Sequence, residues 1–185
     1  MIDDILLEAE EKMEKAISVA REDFAGLRTG RVNPAMFAKI SVDYYGAPTP
    51  LNQLASFHAA DARMMLITPF DRNSLHQVEK AIRDSDLGVN PATDGNVVRV
   101  VLPQLTEERR KEYIKIARHK AEDARVSIRS IRRHAKEQLE KLKKDGDAGE
   151  DDVKRALAHL EEATHEHVSK VDEVLKHKEE ELLEV

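Results

Sequence analysis

The 185-residue chain has no cysteine and no tryptophan. Without cysteine there are no disulfides, no thiol nucleophile and no thiolate-held zinc or iron–sulfur centre, which suits a reducing cytoplasm. Aromatics are 4% of the chain, too few for a large globular core. No apolar run approaches the roughly 18–20 residues of a membrane span. Residues 1–15 are acidic and lack the basic start and unbroken apolar stretch of a secretory signal. Phosphate-cradling, nucleophile-elbow and dinucleotide motifs are also missing. The carboxylate pairs lie on solvated helix faces, where nothing would raise a pKa. No enzyme activity and no cofactor is therefore expected. The net charge of −6 argues, on totals alone, against a nucleic-acid binder.

What is present is unevenly placed. All six prolines lie between residues 34 and 103, with five of the seven aromatics, Phe37, Tyr44, Tyr45, Phe57 and Phe70. Proline breaks helix interiors, so long helices belong to the flanks. There, apolar residues repeat at steps of three and four: Leu6, Ala9, Met13, Ala16, Ala20, Phe24, Leu27; then Ile114 through Ala121, Ile128 and Ala135 to Leu142; then Val153, Leu157, Leu160, Thr164, Val168, Val171, Leu175. Such stripes are buried helix seams. Thr106 can cap the second helix, and residues 145–149 break it from the third. The middle alternates as strands at residues 39–44, 64–68 and 97–102, with a helix at Leu75–Ile82 capped by Asn73 or Ser74. The expected fold class is α+β: a three-helix bundle (residues 1–30 and 104–185) with an inserted β/α/β domain (residues 31–103).

The charge separates into blocks. Residues 106–144 hold 14 basic and 7 acidic residues, net +7, while residues 145–185 hold 5 and 14, net −9. At 100° per residue, Arg118, Arg125, Arg129, Arg132 and Lys136 fall within about 40° of one line, with Arg133 beside it. One reading is a solvated face paired with the acidic flanking helices. The other is a phosphate-binding ridge. Arginine favours the second, because guanidinium matches phosphate in a bidentate fork. Acidic neighbours fit both readings.

At the junction of first helix and insert stands Arg28-Thr29-Gly30-Arg31-Val32-Asn33-Pro34. Gly30 allows a backbone closed to a helix, and Pro34 extends Asn33. The chain returns through Leu102-Pro103-Gln104-Leu105-Thr106. Two short crossings punctuated by glycine and proline read as a hinge or as an ordinary linker pair. His159, His165 and His167 lack metal-site spacing and read as exposed helical histidines. A coiled-coil adaptor dimerising through its seams, and an enzyme housed in the insert, are the rival classes.

Several segments, in order, resemble the ribosome recycling factor family. They are Arg28-Thr29-Gly30-Arg31, Asn33-Pro34, Asp43-Tyr44-Tyr45-Gly46-Ala47-Pro48-Thr49-Pro50-Leu51 and Glu79-Lys80-Ala81-Ile82. Ser85-Asp86-Leu87-Gly88-Val89-Asn90-Pro91, Leu105-Thr106-Glu107-Glu108-Arg109-Arg110-Lys111 and the stretch from Ala124 to Arg133 complete the set. The resemblance implies a monomeric, L-shaped cytoplasmic protein that binds no DNA and no membrane. It implies a partner in the post-termination 70S ribosome, mainly its large-subunit ribosomal RNA. With elongation factor G and GTP, such a factor splits the ribosome into subunits and frees mRNA and tRNA. It implies RNA contacts at Arg129, Arg132 and Arg133, Arg132 foremost, and at Arg28. Arg125 and Lys136 are added from the helical-face geometry. Gly30, Arg31, Pro103 and Thr106 fall at the family's hinge.

Overall fold

In the computed structural model, which describes residues 1–184, helix α1 (Ile2–Ala25) leads through one helical turn, α2 (Ala35–Ala38), into hairpin β1 (Ser41–Tyr44) and β2 (Ala47–Pro50). Strands β3 (Ala55–Asp61) and β4 (Met64–Pro69) follow, then α3 (Leu75–Arg83), β5 (Ala92–Asp94) and β6 (Val97–Val101). Two long helices, α4 (Glu107–Lys144) and α5 (Glu150–Leu183), end the chain. The class is α+β, with long helices and a small sheet domain.

One compact unit comprises Met1–Phe24 and Lys115–Glu179. Its seam on α4 is Ala117, Ala121, Ala124, Ile128, Ala135 and Leu139, all buried. Four alanines let neighbouring helices approach closely, and Ile128 and Leu139 fill the space between them. On α1 the buried line is Ala9, Met13, Ile17, Ala20 and Phe24. Ile17 takes the place expected of Ala16, because the stripe steps by four there. On α5, Ala156 and His167 are buried, whereas Leu157, Val168 and Leu175 are only partly so. His167 is therefore not an exposed histidine. Its Nδ1 lies 2.6 Å from the Ala163 carbonyl and its Nε2 lies 3.5 Å from Glu14 on α1. His159 is exposed and meets Glu10 at 2.8 Å.

The helix ends follow from local chemistry. The Thr106 hydroxyl accepts from the Arg109 N–H at 3.1 Å, capping α4, and Glu107 and Glu108 face the dipole in the first turn. Beyond α4, the Gly146 N–H donates to the Lys143 carbonyl and the Asp147 N–H to that of Leu142, at 3.2 and 2.9 Å. This is a Schellman stop, with Gly146 at φ +76°.

The other unit comprises Ala25–Ile114 and the chain from Glu180 onward. Its sheet runs β3-β4-β6-β5, every pair antiparallel, beside a separate β1-β2 hairpin. Met65 faces Val100 and Ile67 faces Val98 across the central pair, and all four are fully buried. Val78 and Ile82 of α3 join them, with Phe37, Val42, Leu51 and Leu102. Strands β2, β3 and β5 were not expected. They hold two prolines, three alanines and three exposed residues respectively, so none has the alternation or β-branched content of a buried strand. Ser74 stands at the N-cap of α3, as one of the two expected residues, but makes no side-chain cap bond; the capping bond belongs to the 3-10 turn Arg72–Ser74 just before it, where the Asp71 carboxylate accepts from the Asn73 N–H at 2.9 Å.

The borders expected at 30/31 and 103/104 lie inside this second unit. Hydrogen bonds explain the difference. The Arg28 side chain reaches the carbonyls of Leu87 and Pro103, tying the segment after α1 to the sheet domain. A Cβ at Gly88 would stand 3.4 Å from the Arg109 guanidinium, so the first turn of α4 belongs with it as well.

Gly146→Ala adds a methyl group into open space while retaining a left-handed backbone. Its expected effect is a loss of about 1 kcal/mol in unfolding free energy, read as a lower urea midpoint at an unchanged slope.

Candidate nucleic-acid interface

The basic face of α4 stands a quarter turn from its alanine seam, and that offset decides what each cation meets. Arg118 pairs with Glu179 at 2.7 Å, Arg125 with Asp172 at 2.6 Å and Arg132 with Glu161 at 2.5 Å. The register is antiparallel, one partner after another along α5. Glu161, Asp172 and Glu179 are the residues that sequence reasoning missed. Their signal was present, since steps of 11 and 7 put all three on one helical face.

The ridge is thus divided. Arg125 is the most enclosed cation, its side chain 18% exposed. Burial lowers its pKa, but hydrogen bonds to Asp172 and Glu122 outweigh that and raise it overall. Arg132 is intermediate, and its Nε is buried without a partner. Arg129 is half exposed and, among the described residues, pairs only with Glu122 of its own helix, at 3.4 Å. Among the described residues, Arg133 and Lys136 make no ion pair, and both are exposed. Surface ion pairs are worth about 0–1 kcal/mol, so a phosphate can displace the carboxylates from Arg118, Arg129 and Arg132 at little cost. The outward cations are Arg118, which is 66% exposed despite its pair with Glu179, and Arg129, Arg133 and Lys136, while Arg132 is turned toward α5.

Arg28 is placed differently. It is buried, 4% exposed. Its guanidinium donates to the Leu87 carbonyl at 3.2 Å and to the Pro103 carbonyl, and its Nε finds no partner among the described residues. Burial lowers its pKa, with the neighbouring Arg109 acting in the same direction and Tyr113 opposing. In this position it spans two backbone segments and presents no donor to a phosphate surface.

The expected hinge residues share the second unit with Arg28. Thr29 and Arg31 close a small turn through the Thr29 hydroxyl, at 3.1 and 3.4 Å. The Val32 N–H donates to the Ala62 carbonyl at 2.8 Å, and the Leu102 N–H to that of Arg63 at 2.7 Å. Both crossings are thereby fastened to the β3–β4 turn. Gly30 is not left-handed, and among the described residues a Cβ there would meet only the Glu184 carbonyl, at 3.8 Å. Backbone geometry therefore does not require glycine there, nor do the described neighbours. Pro103 and Thr106 are exposed, and Thr106 serves as the α4 cap. Among the described residues, no helix is long and apolar enough to cross a membrane.

Comparison with known proteins adds an independent line. The family model for the ribosome recycling factor matches residues 20–183. The chain is 69% identical to the ribosome-recycling factors of Acidothermus cellulolyticus and Kineococcus radiotolerans, and 63% identical to that of Streptomyces coelicolor, in each case over the full length of both chains. It is also similar to the solution structure of a ribosome recycling factor, with a TM-score of 0.77 and 39% identity, covering 100% of this chain and 98% of the other. A second similar structure describes the T. thermophilus ribosome recycling factor and the E. coli elongation factor G bound to the E. coli post-termination complex. Its TM-score is 0.69 and its identity 43%, with both chains fully covered.

Arg28→Lys replaces a fork spanning two carbonyls with a point charge that can serve one. The expected loss is about 1.5–3 kcal/mol of unfolding free energy, measured by urea denaturation, with RNA affinity of the folded variant unchanged. The reverse pattern, intact stability with weakened RNA binding, would return Arg28 to the RNA contacts.

Proposed function

The chain belongs to the ribosome recycling factor family and its function is ribosome recycling, and we propose that its hold on the ribosome is the outward part of the α4 arginine face. In this reading Arg129, Arg133 and Lys136 meet phosphates of large-subunit ribosomal RNA first. Arg132 and Arg125 follow by exchanging their α5 carboxylates for phosphate. The observation that carries the proposal is the row of outward cations on one side of a long helix, two of them without an ion pair among the described residues. Arginine forks and lysine point charges both suit a phosphate surface, and each contact made releases counterions.

The rest of the reading is mechanical. The chain does no chemistry of its own. It enters a post-termination ribosome in the cytoplasm as a monomer, and its seams, filled within one chain, support that state. Elongation factor G spends GTP and supplies the force. The bundle stays anchored through α4 while the sheet domain is displaced, and the crossings near Gly30, Arg31, Pro103 and Thr106 absorb the motion by releasing the Val32–Ala62 and Leu102–Arg63 hydrogen bonds that fasten them to the β3–β4 turn. The subunits part, and mRNA and tRNA are freed.

Co-sedimentation with 50S subunits over a salt series tests this. Arg133→Ala is expected to weaken binding by about 1–3 kcal/mol and to flatten the salt dependence, at unchanged thermal stability. Glu161→Gln is expected to tighten binding, because it frees Arg132, and to change stability by less than about 1 kcal/mol. If neither variant shifts the salt curve, the α4 face is not the grip. Gly30→Val, whose Cβ meets only ordinary van der Waals contact among the described residues, is expected to slow subunit splitting more than it weakens binding. Equal losses in the two assays would remove Gly30 from the moving part.

A further inference from the structure

We propose that the groove between the first half of α1 and the second half of α4 receives one unpaired, amino-bearing base of ribosomal RNA, adenine or cytosine. The inference deepens the reading of α4 as a phosphate grip and rests on it. The cations hold the backbone, and the groove holds a base of the same strand.

The first observation is a gap in the helix seam. Ala9 and Ala135 are buried and line a hollow of about 220 Å³, whose sides are Ile5 and Ile131, both only partly buried. Elsewhere the seam carries Met13, Ile17, Ile128 and Leu139. Two alanines in their place leave room that neither helix fills. The volume decides what enters. It falls below the roughly 300–1,000 Å³ of sites for drug-sized molecules. It is too narrow for a peptide helix about 10 Å across, and it suits one planar ring system.

The second observation is a set of unused polar groups. Ser130, His134 and Gln138 recur at steps of four along α4 and line the same hollow. Among the described residues, none of these three side chains makes a hydrogen bond. A hydroxyl inside a helix can turn back to the carbonyl four residues earlier, as Thr164 does to Leu160 at 2.7 Å. Ser130 does not, and its hydroxyl stays available. On α1, one Glu8 carboxylate oxygen meets Lys12 at 2.7 Å. That bond, with His134 adding to it, lowers the Glu8 pKa and keeps the carboxylate charged. The groove thus sets a charged acceptor on one wall and free polar groups on the other, above an apolar floor.

Register and charge name the occupant. Arg133 lies three residues from Ser130, a spacing that puts Cβ atoms about 5–6 Å apart on a helix surface. A phosphate held by Arg133 therefore brings its own base to the mouth of the groove. Lys12, Lys15 and Arg133 stand near that mouth against Glu8 and Glu137, all of them exposed, so a polyanion is not turned away. Unpaired RNA bases are read by hydrogen bonds along their Watson–Crick edges. Adenine and cytosine set an amino donor beside a ring acceptor on that edge. The amino group suits the Glu8 carboxylate, and the ring nitrogen suits the Ser130 hydroxyl or the Gln138 amide. Uracil would turn a carbonyl oxygen toward Glu8.

The test uses the full-length chain on 50S subunits probed with dimethyl sulfate, which methylates adenine N1 and cytosine N3 only where they are free. The wild-type chain is expected to protect an unpaired adenine or cytosine. Ser130→Leu places a branched side chain in the mouth and raises helix propensity, so its melting temperature is expected to hold. At saturating concentration it is expected to leave that one base reactive and other protections in place. Its affinity for 50S subunits is expected to fall about tenfold at an unchanged salt slope, whereas Arg133→Ala flattens the slope. Three results would each overturn the proposal and leave the phosphate grip standing: a base still protected by Ser130→Leu, no protected adenine or cytosine in a wild-type complex that co-sediments, or a slope that Ser130→Leu flattens as Arg133→Ala does. A wild-type chain that does not bind would overturn the grip, and this inference with it. Should Ser130→Leu melt early, Gln138→Leu closes the groove from its other end and carries the same expectations.

Discussion

The quarter-turn offset between the seam of α4 and its arginine line governs the bundle. Alanines at 117, 121, 124 and 135 bring the neighbouring helices close. Closeness puts the acidic face of α5 within reach of Arg118, Arg125 and Arg132. A larger offset would leave every arginine in water, bare to any polyanion. A smaller one would bury them all in pairs. At the observed angle, one edge of the face is neutralised and the other stays open.

The same balance explains the unusual composition. A chain with a modest total charge holds one helical segment at net +7 and the next at net −9. Each block would repel itself if left alone. Placed side by side they offset one another along α4 and α5, and the bundle tolerates a polar surface that its thin alanine seam could not otherwise stabilise. Individually these pairs are weak. Together they set which cations face outward.

Much of this was legible in the sequence, and the parts that were not share a cause. Helix seams, the Thr106 cap and the break after α4 follow from local rules, and each is present in the structure. The ridge was legible as a line of angles, but its partners were not, because Glu161, Asp172 and Glu179 lie far along the chain and only tertiary packing pairs them. Arg28 shows the limit most clearly. The family resemblance implies an RNA contact there, and the local sequence reads only as a junction between helix and insert. Its position is set instead by carbonyls of Leu87 and Pro103, 59 and 75 residues away. The unexpected strands β2, β3 and β5 were hidden by the opposite problem: they owe their existence to a neighbour's hydrogen bonds and carry little β pattern of their own.

The margins of the small sheet have a consequence for life in a crowded cell. One outer strand, β3, loses its register at Ala59–Asp61, and the other, β5, has only three residues, all exposed, with Asp94 paired to Arg99. A kinked margin and a short charged one are poor templates for an incoming strand. Copies meeting at high concentration find no rail along which to zip, so the domain resists growing into aggregates even though its core holds a dense set of valines and isoleucines.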